Sequence, residues 1–471
     1  MAELRAAGSA TLPAIRVLGQ KLDSIPFSRY HILIITVLGF VGFVEGYDLA
    51  MTGSLLVLAK KPLHLTPGDI RLLTIAATLM LCVGGFAASA ISDHWSRKRI
   101  MQIGVVGTTL FTLMIPLVQN AEQLITVRLL TGLAGGFAVS APFPIGAELM
   151  PAQHRRTYGA VYEMSLASAF TVLPLVGFLL AGNPSAFRFM ALGGGLMLFI
   201  APALIHFVIP ESPRWHLRRG RLEEAVATVN RIIHRCGNRV PPLSSAMLAA
   251  SSGTSRVHEA LPPYWALFRT GQLRWTVVGI LSGVCAGIAA MQIQLLLPKA
   301  LVDQGAAVSM SFGLATIVYV ASIPGKAFTG FLMEIIGRRW TITYALAGSL
   351  PGLVLMLTAH RVGASATIVM VVGGLITGFT VLSAFTATRV YLSEQFPTAL
   401  RGRGQPFGES FGRIFAGVLA PFLMVSHTGS PTIFFGTIGV VVAIGAFIPP
   451  LFGKETVGQL EIIAAEAAEP A

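Results

Sequence analysis

The first long apolar stretch of the chain reads HILIITVLGFVGFVEGYDLAMTG and covers residues 31–53. It is long enough for a membrane helix, which needs roughly 20 apolar residues to cross the hydrocarbon core of a bilayer. Its second half contains two acids, Glu45 and Asp48. A charge at the centre of a membrane helix costs about 2.5–3.5 kcal/mol on insertion scales, so an acid there needs a partner or a function. The stretch therefore predicts a membrane helix that carries functional acids.

The composition indicates that such helices make up nearly all of the chain. Of its 471 residues, 54% are hydrophobic and 12% are charged, against about 25% charged in soluble globular proteins. These values exclude a disordered chain, a collagen-like chain and an ordinary cytosolic enzyme. Hydropathy predicts twelve spans, at 31–53, 71–92, 100–119, 123–147, 158–181, 187–209, 275–298, 309–332, 340–360, 366–392, 406–427 and 432–452.

The predicted spans fall into two sets of six, because one long polar stretch lies between the sixth and the seventh. We therefore predict an all-α membrane protein with twelve transmembrane helices in two six-helix bundles related by pseudo-two-fold symmetry. Within the polar stretch, residues 221–235 have the apolar spacing of an amphipathic helix, which we expect at the membrane surface. The predicted domains are a segment 1–30, a bundle 31–209, a central loop 210–274, a bundle 275–452 and a tail 453–471.

The basic residues lie mostly on one side of these spans. They cluster in the segment 1–30, in the central loop and in alternate connections such as Arg97-Lys98-Arg99. Since cytoplasmic loops are enriched in Lys and Arg, we predict that both termini and the central loop are cytoplasmic, in a bacterial inner membrane. This asymmetry accounts for most of the net charge of +13, so we expect no nucleic-acid partner. The three cysteines form no metal-ligand or disulfide pattern, and no cofactor is indicated.

Charged residues recur at matching places in the two predicted bundles. Internal repeats are typical of transporters whose site lies between two bundles. We predict that the repeated charges form an inner gate at the cytoplasmic helix ends; the alternative is a role in orientation and static loop packing. In chain order the pairs are Asp93 with Glu334, Arg97 with Arg338, Glu148 with Glu394, and Arg155 with Arg401.

Three motifs contain these charges or lie near them. The connection after the eighth span reads Gly330-x3-Glu334-x2-Gly337-Arg338-Arg339, and its counterpart after the second span has Ser89 and Ser96 in place of both glycines. Each half has a Glu-x6-Arg pair, and the sequence PESPR follows the sixth span at 210–214. Together these motifs resemble the major facilitator superfamily over nearly the whole chain, and within it the sugar-porter-like branch.

The features typical of sugar recognition are missing. The seventh span offers only Gln292 and Gln294 where sugar porters carry a Gln-Gln-x-Ser-Gly run. The first span carries Glu45-Gly46-Tyr47-Asp48, which is similar to the Asp-Gly-x-Asp motif of proton-coupled aromatic-acid and metabolite symporters. The resemblance implies a secondary active transporter that couples the uptake of a small organic acid or related metabolite to protons by alternating access. It also implies a monomer.

Glu45, Asp48 and Arg128 are the candidate proton-coupling residues. The two acids lie three positions apart, on one face of the first helix, and Arg128 has a similar predicted depth in the fourth span. Two carboxylates this close do not both ionise easily, whereas an arginine favours the ionised form. Losing and regaining Arg128 would therefore load and release a proton, with Asp48 as the main carrier. The alternative is a permanent ion pair that holds the two helices together.

The candidate substrate-binding residues are Tyr47, Gln292, Gln294, Arg389 and Arg413. An arginine fork suits a carboxylate or phosphate-like ligand, so we expect an anionic substrate. Alternatives exist for three of them. Arg413 could pair within its own helix with Glu409, four positions earlier; Arg389 could be a gate partner; Tyr47 could serve packing alone.

Two other functions stay open from the sequence. A proton-driven exporter has the same fold, because sequence does not display the direction of transport. A non-transporting nutrient receptor, which belongs to another class, usually needs a larger soluble signalling segment. An enzyme is not expected, since the spans contain no nucleophile–base pair or metal cluster. Solute uptake with and without a proton gradient separates the carriers from the other classes.

Overall fold

The computed structural model describes residues 11–91, 95–251, 264–396 and 398–455. Within these ranges the regular secondary structure is helical and contains no strand. In a bilayer, a helix satisfies the backbone N–H and C=O groups of a long apolar run within the run itself. The all-α prediction is confirmed.

Six long helices form the first half of the chain. Polar caps define several of their starts: Ser96 Oγ accepts the backbone N–H of Arg99 at 3.3 Å, and Asn120 Oδ1 accepts that of Gln123 at 2.9 Å. The helices are α1 (Arg29–Leu58), α2 (Pro67–Ile91), α3 (Arg97–Met114), α4 (Ala121–Val139, continued by Pro142–Leu149), α5 (Arg155–Leu179) and α6 (Ala186–Val208).

Six more form the second half. In α11 a π-helical turn, Phe415–Leu419, joins the main helix to Ala420–Met424. The helices are α7 (Thr270–Asp303), α8 (Val308–Ile335), α9 (Arg338–Ala347, continued by Leu350–Thr358), α10 (Ala366–Glu394), α11 (Thr398–Ile414) and α12 (Pro431–Phe452).

Eleven of these helices are long and apolar enough to cross a membrane, counted over the described ranges. The twelfth, α11, is not among them, because polar and charged residues such as Glu409 and Arg413 interrupt its apolar sequence. Its place in the second half corresponds to that of α5 in the first, and both helices carry an acid at the matching position, Glu163 and Glu409.

The two halves pack in the same pattern. Helix α4 lies against α2 and α3, as α10 lies against α8 and α9; α6 packs on α1 and α3, as α12 packs on α7 and α9. The two bundles meet along α5 with α8, α2 with α11, and α1 with α7. The last contact is close, since a Cβ added at Gly53 on α1 would lie 2.7 Å from the carbonyl oxygen of Leu295 on α7.

We call the end of the molecule that carries Arg97, Arg155 and Arg338 the basic end. At the opposite end, side chains link the two bundles: Lys60 Nζ lies 3.8 Å from Asp303 Oδ1, and Arg71 Nε donates to Ser426 Oγ at 2.8 Å. Asp303 also pairs with Lys299 of its own helix. The bundles are thus joined by polar contacts at the end remote from the basic end.

The central loop forms a helix, Leu222–Arg235, at the basic end. This confirms the helix predicted at 221–235, but its position is different from the one expected. Its apolar residues Val229, Ile232 and Ile233 are buried in a core cluster that also contains Ile34 and Ile205 of the first bundle. The helix therefore covers the first bundle with its apolar face, instead of presenting that face to the membrane surface.

Candidate functional site

An acid and an arginine form a buried pair inside the first bundle. Arg128 on α4 is fully buried, and its Nη1 donates to Asp48 Oδ1 on α1 at 2.6 Å. Its Nη2 donates to the backbone oxygen of Asp48 and to Thr52 Oγ1, both at 2.9 Å. One turn of α1 thus supplies three acceptors to a single guanidinium. The structure brings together Asp48 and Arg128, as the matching depths predict.

Glu45 has different partners, although it lies on α1 one turn from Asp48. Tyr162 Oη on α5 donates to Glu45 Oε2 at 2.8 Å, and Arg413 Nη2 on α11 lies 3.8 Å from Glu45 Oε1. The first contact stays within the first bundle and the second crosses to the other bundle. The two acids therefore do not share Arg128, because their side chains leave α1 toward different neighbours.

Arg389 on α10 is the centre of a second group of charges. Its Nε and Nη2 donate to the two carboxylate oxygens of Glu409 on α11, at 3.2 and 3.3 Å. Its Nη1 pairs with Glu163 on α5, across the boundary between the bundles. The guanidinium carbon also lies 5.2 Å from the ring centroid of Phe143, in the continuation of α4. Arg389 therefore joins helices of both bundles.

Lys326 on α8 completes this group. Its Nζ lies 3.6 Å from Glu163 Oε2 and 3.5 Å from the backbone oxygen of Glu163. Glu163 thus binds two cations of the other bundle. We call the following six residues the interface cluster: Glu45, Glu163, Lys326, Arg389, Glu409 and Arg413.

The interface cluster contains as many acids as bases, so its formal charge is zero when all six are ionised. Charges removed from water are tolerated when they are paired, and removing one partner of a buried pair costs about 3–5 kcal/mol. Four contacts of the cluster join the two bundles, those of Glu163 with Arg389 and Lys326, of Glu45 with Arg413, and of Arg389 with Phe143. Separating the bundles here requires water, protons or a ligand to replace the lost partners.

Gln292 on α7 is a buried amide without a described partner. Its side chain is 1% exposed, and neither its nitrogen nor its oxygen has a hydrogen bond within the described part of the chain. Buried polar side chains are normally hydrogen-bonded in folded proteins. A bound ligand is one group that could supply hydrogen bonds to the amide of Gln292. Gln294, two positions later, is half-buried.

The structure corrects the role predicted for Tyr47. Its hydroxyl donates to the backbone oxygen of Met190 on α6 at 2.7 Å, and its ring packs against Gly194 of the same helix. It is a buried residue between α1 and α6, inside the first bundle. The substrate contact predicted for Tyr47 is therefore replaced by a packing role, because its place on α1 turns it away from the second bundle.

The charges at the basic end pair within each bundle. Arg97 binds Glu148, which also accepts a hydrogen bond from Ser212 Oγ. Arg338 Nε and Nη2 bind Glu394 at 3.1 and 3.2 Å. These pairs fasten α3 to α4 and α9 to α10, so the inner gate stays a prediction.

The remaining gate residues have other positions. Arg155 pairs with Asp23, the last residue of a helix that precedes α1, Thr11–Asp23, and donates to the backbone oxygen of Ala147 at 2.9 Å. Glu334 is exposed at the end of α8. Asp93 and the side chain of Arg401 lie outside the described residues.

Sequence reasoning missed Lys326, Tyr162 and Phe143. Lys326 lies inside the predicted span 309–332, and a lysine within a membrane helix is by itself a reason to suspect function. No comparable sequence signal marks Tyr162 or Phe143, since aromatic residues are common in membrane helices. Their part in the site follows from the packing of α5 against α1 and α4.

Comparison with known proteins finds a matching family and many similar proteins, among them the following two. The family described as the Major Facilitator Superfamily matches residues 38–324. The chain is 25% identical to the inner membrane metabolite transport protein YdjE of Escherichia coli, covering 93% of this chain and 96% of that protein. It is also 25% identical to the niacin transporter NiaP of Acinetobacter baylyi, covering 93% and 97%.

The fold is similar to that of the xylose transporter XylE from E. coli in a partially occluded inward open conformation. The TM-score is 0.71 at 19% identity, and the match covers 92% of this chain and 99% of the other. Together with the helices described above, this similarity confirms the predicted fold of twelve membrane helices in two bundles.

Proposed function

This chain belongs to the major facilitator superfamily, and on that premise we propose that it is a proton-coupled symporter that takes up a small organic acid by alternating access. The chain is a multi-pass membrane transporter of metabolites and not an enzyme. Proton coupling and an organic-acid substrate are supported by the interface cluster, together with the likeness to a niacin transporter.

The contact of Arg389 with acids of both bundles is the single observation that carries the proposal. An arginine offers several N–H groups in a planar fork that fits a carboxylate, and Arg389 already holds one carboxylate in this way. A substrate carboxylate has the same shape and charge as Glu163 or Glu409. It can therefore take the place of one of them when the bundles move.

The charge of the cluster links such a substrate to a proton. The cluster sums to zero when ionised, so an added anion leaves one negative charge in excess in a poorly solvated site. Protonation of one glutamate removes that excess. This supports the uptake of one anion together with one proton.

Geometry favours Glu45 over Asp48 as the acid that gains this proton. Glu45 contacts Arg413 of the other bundle, so it loses a cation when the bundles separate. Asp48 and Arg128 lie in one bundle and keep each other when that bundle moves as a unit. We therefore assign the proton exchange to Glu45, and a supporting role to Asp48 and Arg128. Gln292, Arg389 and Arg413 are the proposed substrate contacts.

We also propose that the basic end faces the cytoplasm of a bacterium, with both termini and the loop 210–274 on that side and the protein acting as a monomer. The excess of Lys and Arg at this end supports the orientation. A fluorescent protein fused after residue 471 tests it, since a green fluorescent protein matures in the cytoplasm and stays dark after export. A dark fusion that is normally inserted contradicts this orientation.

Uptake into proteoliposomes tests the proposal as a whole. The purified full chain is reconstituted and offered labelled niacin, other aromatic acids, short carboxylates, sugars and quaternary amines, with and without an acidic exterior. We expect a carboxylate to accumulate only under the proton gradient, and a protonophore to abolish the accumulation. Accumulation driven by the reverse gradient indicates an exporter instead. Accumulation that is the same with and without the proton gradient contradicts proton coupling.

A further inference from the structure

A cavity of about 380 Å³ opens at the basic end, between α3, α6 and the central-loop helix Leu222–Arg235. It is separate from the interface cluster, because all three elements belong to the first bundle or cover it. Its charged lining consists of four bases and one acid: Lys98, Arg99, Arg231, Arg235 and Glu211. This excess of positive charge is gathered around one opening.

Two of the four bases have structural partners. Lys98 Nζ donates to the backbone oxygen of His206 on α6 at 2.9 Å. Arg235 Nη1 donates to Tyr30 Oη at 3.1 Å, and its guanidinium carbon lies 5.1 Å from the ring centroid of Tyr30. These neutral partners position the two side chains but do not balance their charge.

The other two bases, Arg99 and Arg231, are exposed and form no ion pair with another described residue. Glu211 is the one carboxylate in the lining, and its Oε1 accepts the backbone N–H of Ser212 at 3.2 Å. The lining thus has a formal charge of +3 if His206 is neutral. An anion with several acceptor oxygens can bind more than one of these bases at once.

The residues beside the cavity indicate which kind of molecule would carry an anionic group into it. The cavity lies where α3 begins and α6 ends, at the level where the membrane helices leave the apolar region. Two apolar side chains beside it point outward: Ile103 on α3 is 48% exposed, and Phe207 on α6 is 73% exposed and lines the cavity. The basic opening therefore adjoins exposed apolar side chains of two membrane helices, which are suited to contact acyl chains.

We propose that this cavity binds a phosphate group, carried by the headgroup of an anionic phospholipid whose acyl chains lie along α3 and α6. Basic pockets between membrane helices on the cytoplasmic side suit such headgroups. Inorganic phosphate shares the same chemistry without the acyl chains. The site is independent of the transported solute, and it ties the central-loop helix to the bundle through a lipid.

The experiment measures thermal unfolding of the full chain, purified in a neutral detergent, during titration with phosphatidylglycerol, phosphatidylcholine or inorganic phosphate. The test variant is R99Q/R231Q, which removes the two bases without ion-pair partners. The matched control is K61Q/R361Q, which removes two exposed positive charges at the opposite end. A second variant, R99K/R231K, keeps the charge.

We expect phosphatidylglycerol to raise the unfolding temperature of the native chain, and phosphatidylcholine to have a much smaller effect. In R99Q/R231Q the concentration for half of this rise should increase about 30-fold, whereas K61Q/R361Q and R99K/R231K should stay close to the native value. A rise produced equally by inorganic phosphate supports the phosphate site but assigns it to a soluble source. Absence of any rise, or the same rise in R99Q/R231Q, overturns the proposal.

Discussion

The Asp48–Arg128 pair and the interface cluster both hold charges inside membrane helices, but they differ in what they connect. Asp48 and Arg128 lie in one bundle, and the hydrogen bonds of Arg128 within the described ranges all go to one turn of α1. The interface cluster draws its members from both bundles. Both groups satisfy the requirement that a buried charge be paired. Only the second depends on how the bundles are placed.

This difference distinguishes residues that stabilise one bundle from residues that can couple the movement of the two bundles to a proton. Movement of two packed bundles as rigid bodies leaves contacts within each bundle intact and changes those between them. Burial alone therefore does not identify a coupling residue. Asp48 and Arg128 are the more deeply buried, yet the contacts between the bundles, which such a movement would change, belong to Glu45, Glu163 and Arg389. The following variants test this division, beginning with the largest expected effect.

Replacing Asp48 with Asn should mainly destabilise the protein. Arg128 keeps its charge but loses its carboxylate, which should cost about 3–5 kcal/mol of unfolding free energy. We expect little folded protein, detected as a lower unfolding temperature and a poor size-exclusion profile. The double variant D48N/R128Q should recover part of the loss. If D48N is instead stable but fails to accumulate substrate, Asp48 is itself the coupling acid and the comparison drawn above is wrong.

Replacing Arg389 with Lys should impair transport more than stability. A lysine keeps the charge but cannot bind Glu409 through two parallel N–H groups and reach Glu163 as well. Loss of a hydrogen bond to a charged group corresponds to a decrease of at least tenfold in kcat/KM for uptake. Arg361→Lys, at an exposed position near the opposite end, is the control. Unchanged uptake by R389K removes Arg389 from the site.

Replacing Glu45 with Gln should abolish proton-driven accumulation of the substrate while leaving substrate exchange across the membrane intact. The amide keeps a hydrogen bond with Tyr162 but cannot gain or lose a proton. We expect substrate exchange across the membrane to continue, while accumulation driven by an acidic exterior falls to the equilibrium level. Glu122→Gln, at an exposed site on α4, serves as control. Retention of proton-driven accumulation in E45Q would exclude Glu45 as the coupling acid.

Replacing Lys60 with Gln should have the smallest effect. Its contact with Asp303 at the opposite end is 3.8 Å long and Lys60 is 49% exposed, and exposed pairs contribute about 0–1 kcal/mol. Because this pair joins the two bundles, its loss should favour opening of that end by at most about fivefold. Labelling of a cysteine placed at Ser54 measures the opening. Neighbouring Lys61→Gln should leave the labelling rate unchanged, and an equal rise in both variants contradicts a specific role of the Lys60–Asp303 pair in holding this end closed.

The sequence predicted the fold because the relevant signals are local. Apolar windows predict a span at each of the twelve helices, and the matching charges of the two halves reveal the repeat. The Asp48–Arg128 contact was also predictable, since both residues belong to one bundle and have similar depths. Glu45 and Asp48 illustrate the limit of what local sequence patterns can predict. Spacing places them on one face of α1, but a small difference in direction gives them separate neighbours.

Contacts between the bundles could not be predicted in the same way. The pairing of Lys326 with Glu163 depends on the rotation of α8 against α5, which no pattern within either helix encodes. The same is true of Arg413 with Glu45. Tyr47 was misplaced for a related reason, because its position beside two functional acids gives no information on which neighbour its ring faces. Arg155 and Asp23 pair only because the N-terminal segment folds back onto the basic end.

The zero formal charge of the interface cluster has a consequence for the return of the empty carrier. Moving one elementary charge through a membrane potential of 100 mV changes its energy by about 2.3 kcal/mol. When the acids and bases of the cluster are displaced equally along the membrane normal, their contributions to this energy cancel, and the same holds for Asp48 and Arg128. With these groups ionised, they add no voltage-dependent energy to the conformational change of the unloaded protein. The electrical work that these groups contribute to the return of the empty carrier is then the same in an energised and in a depolarised cell.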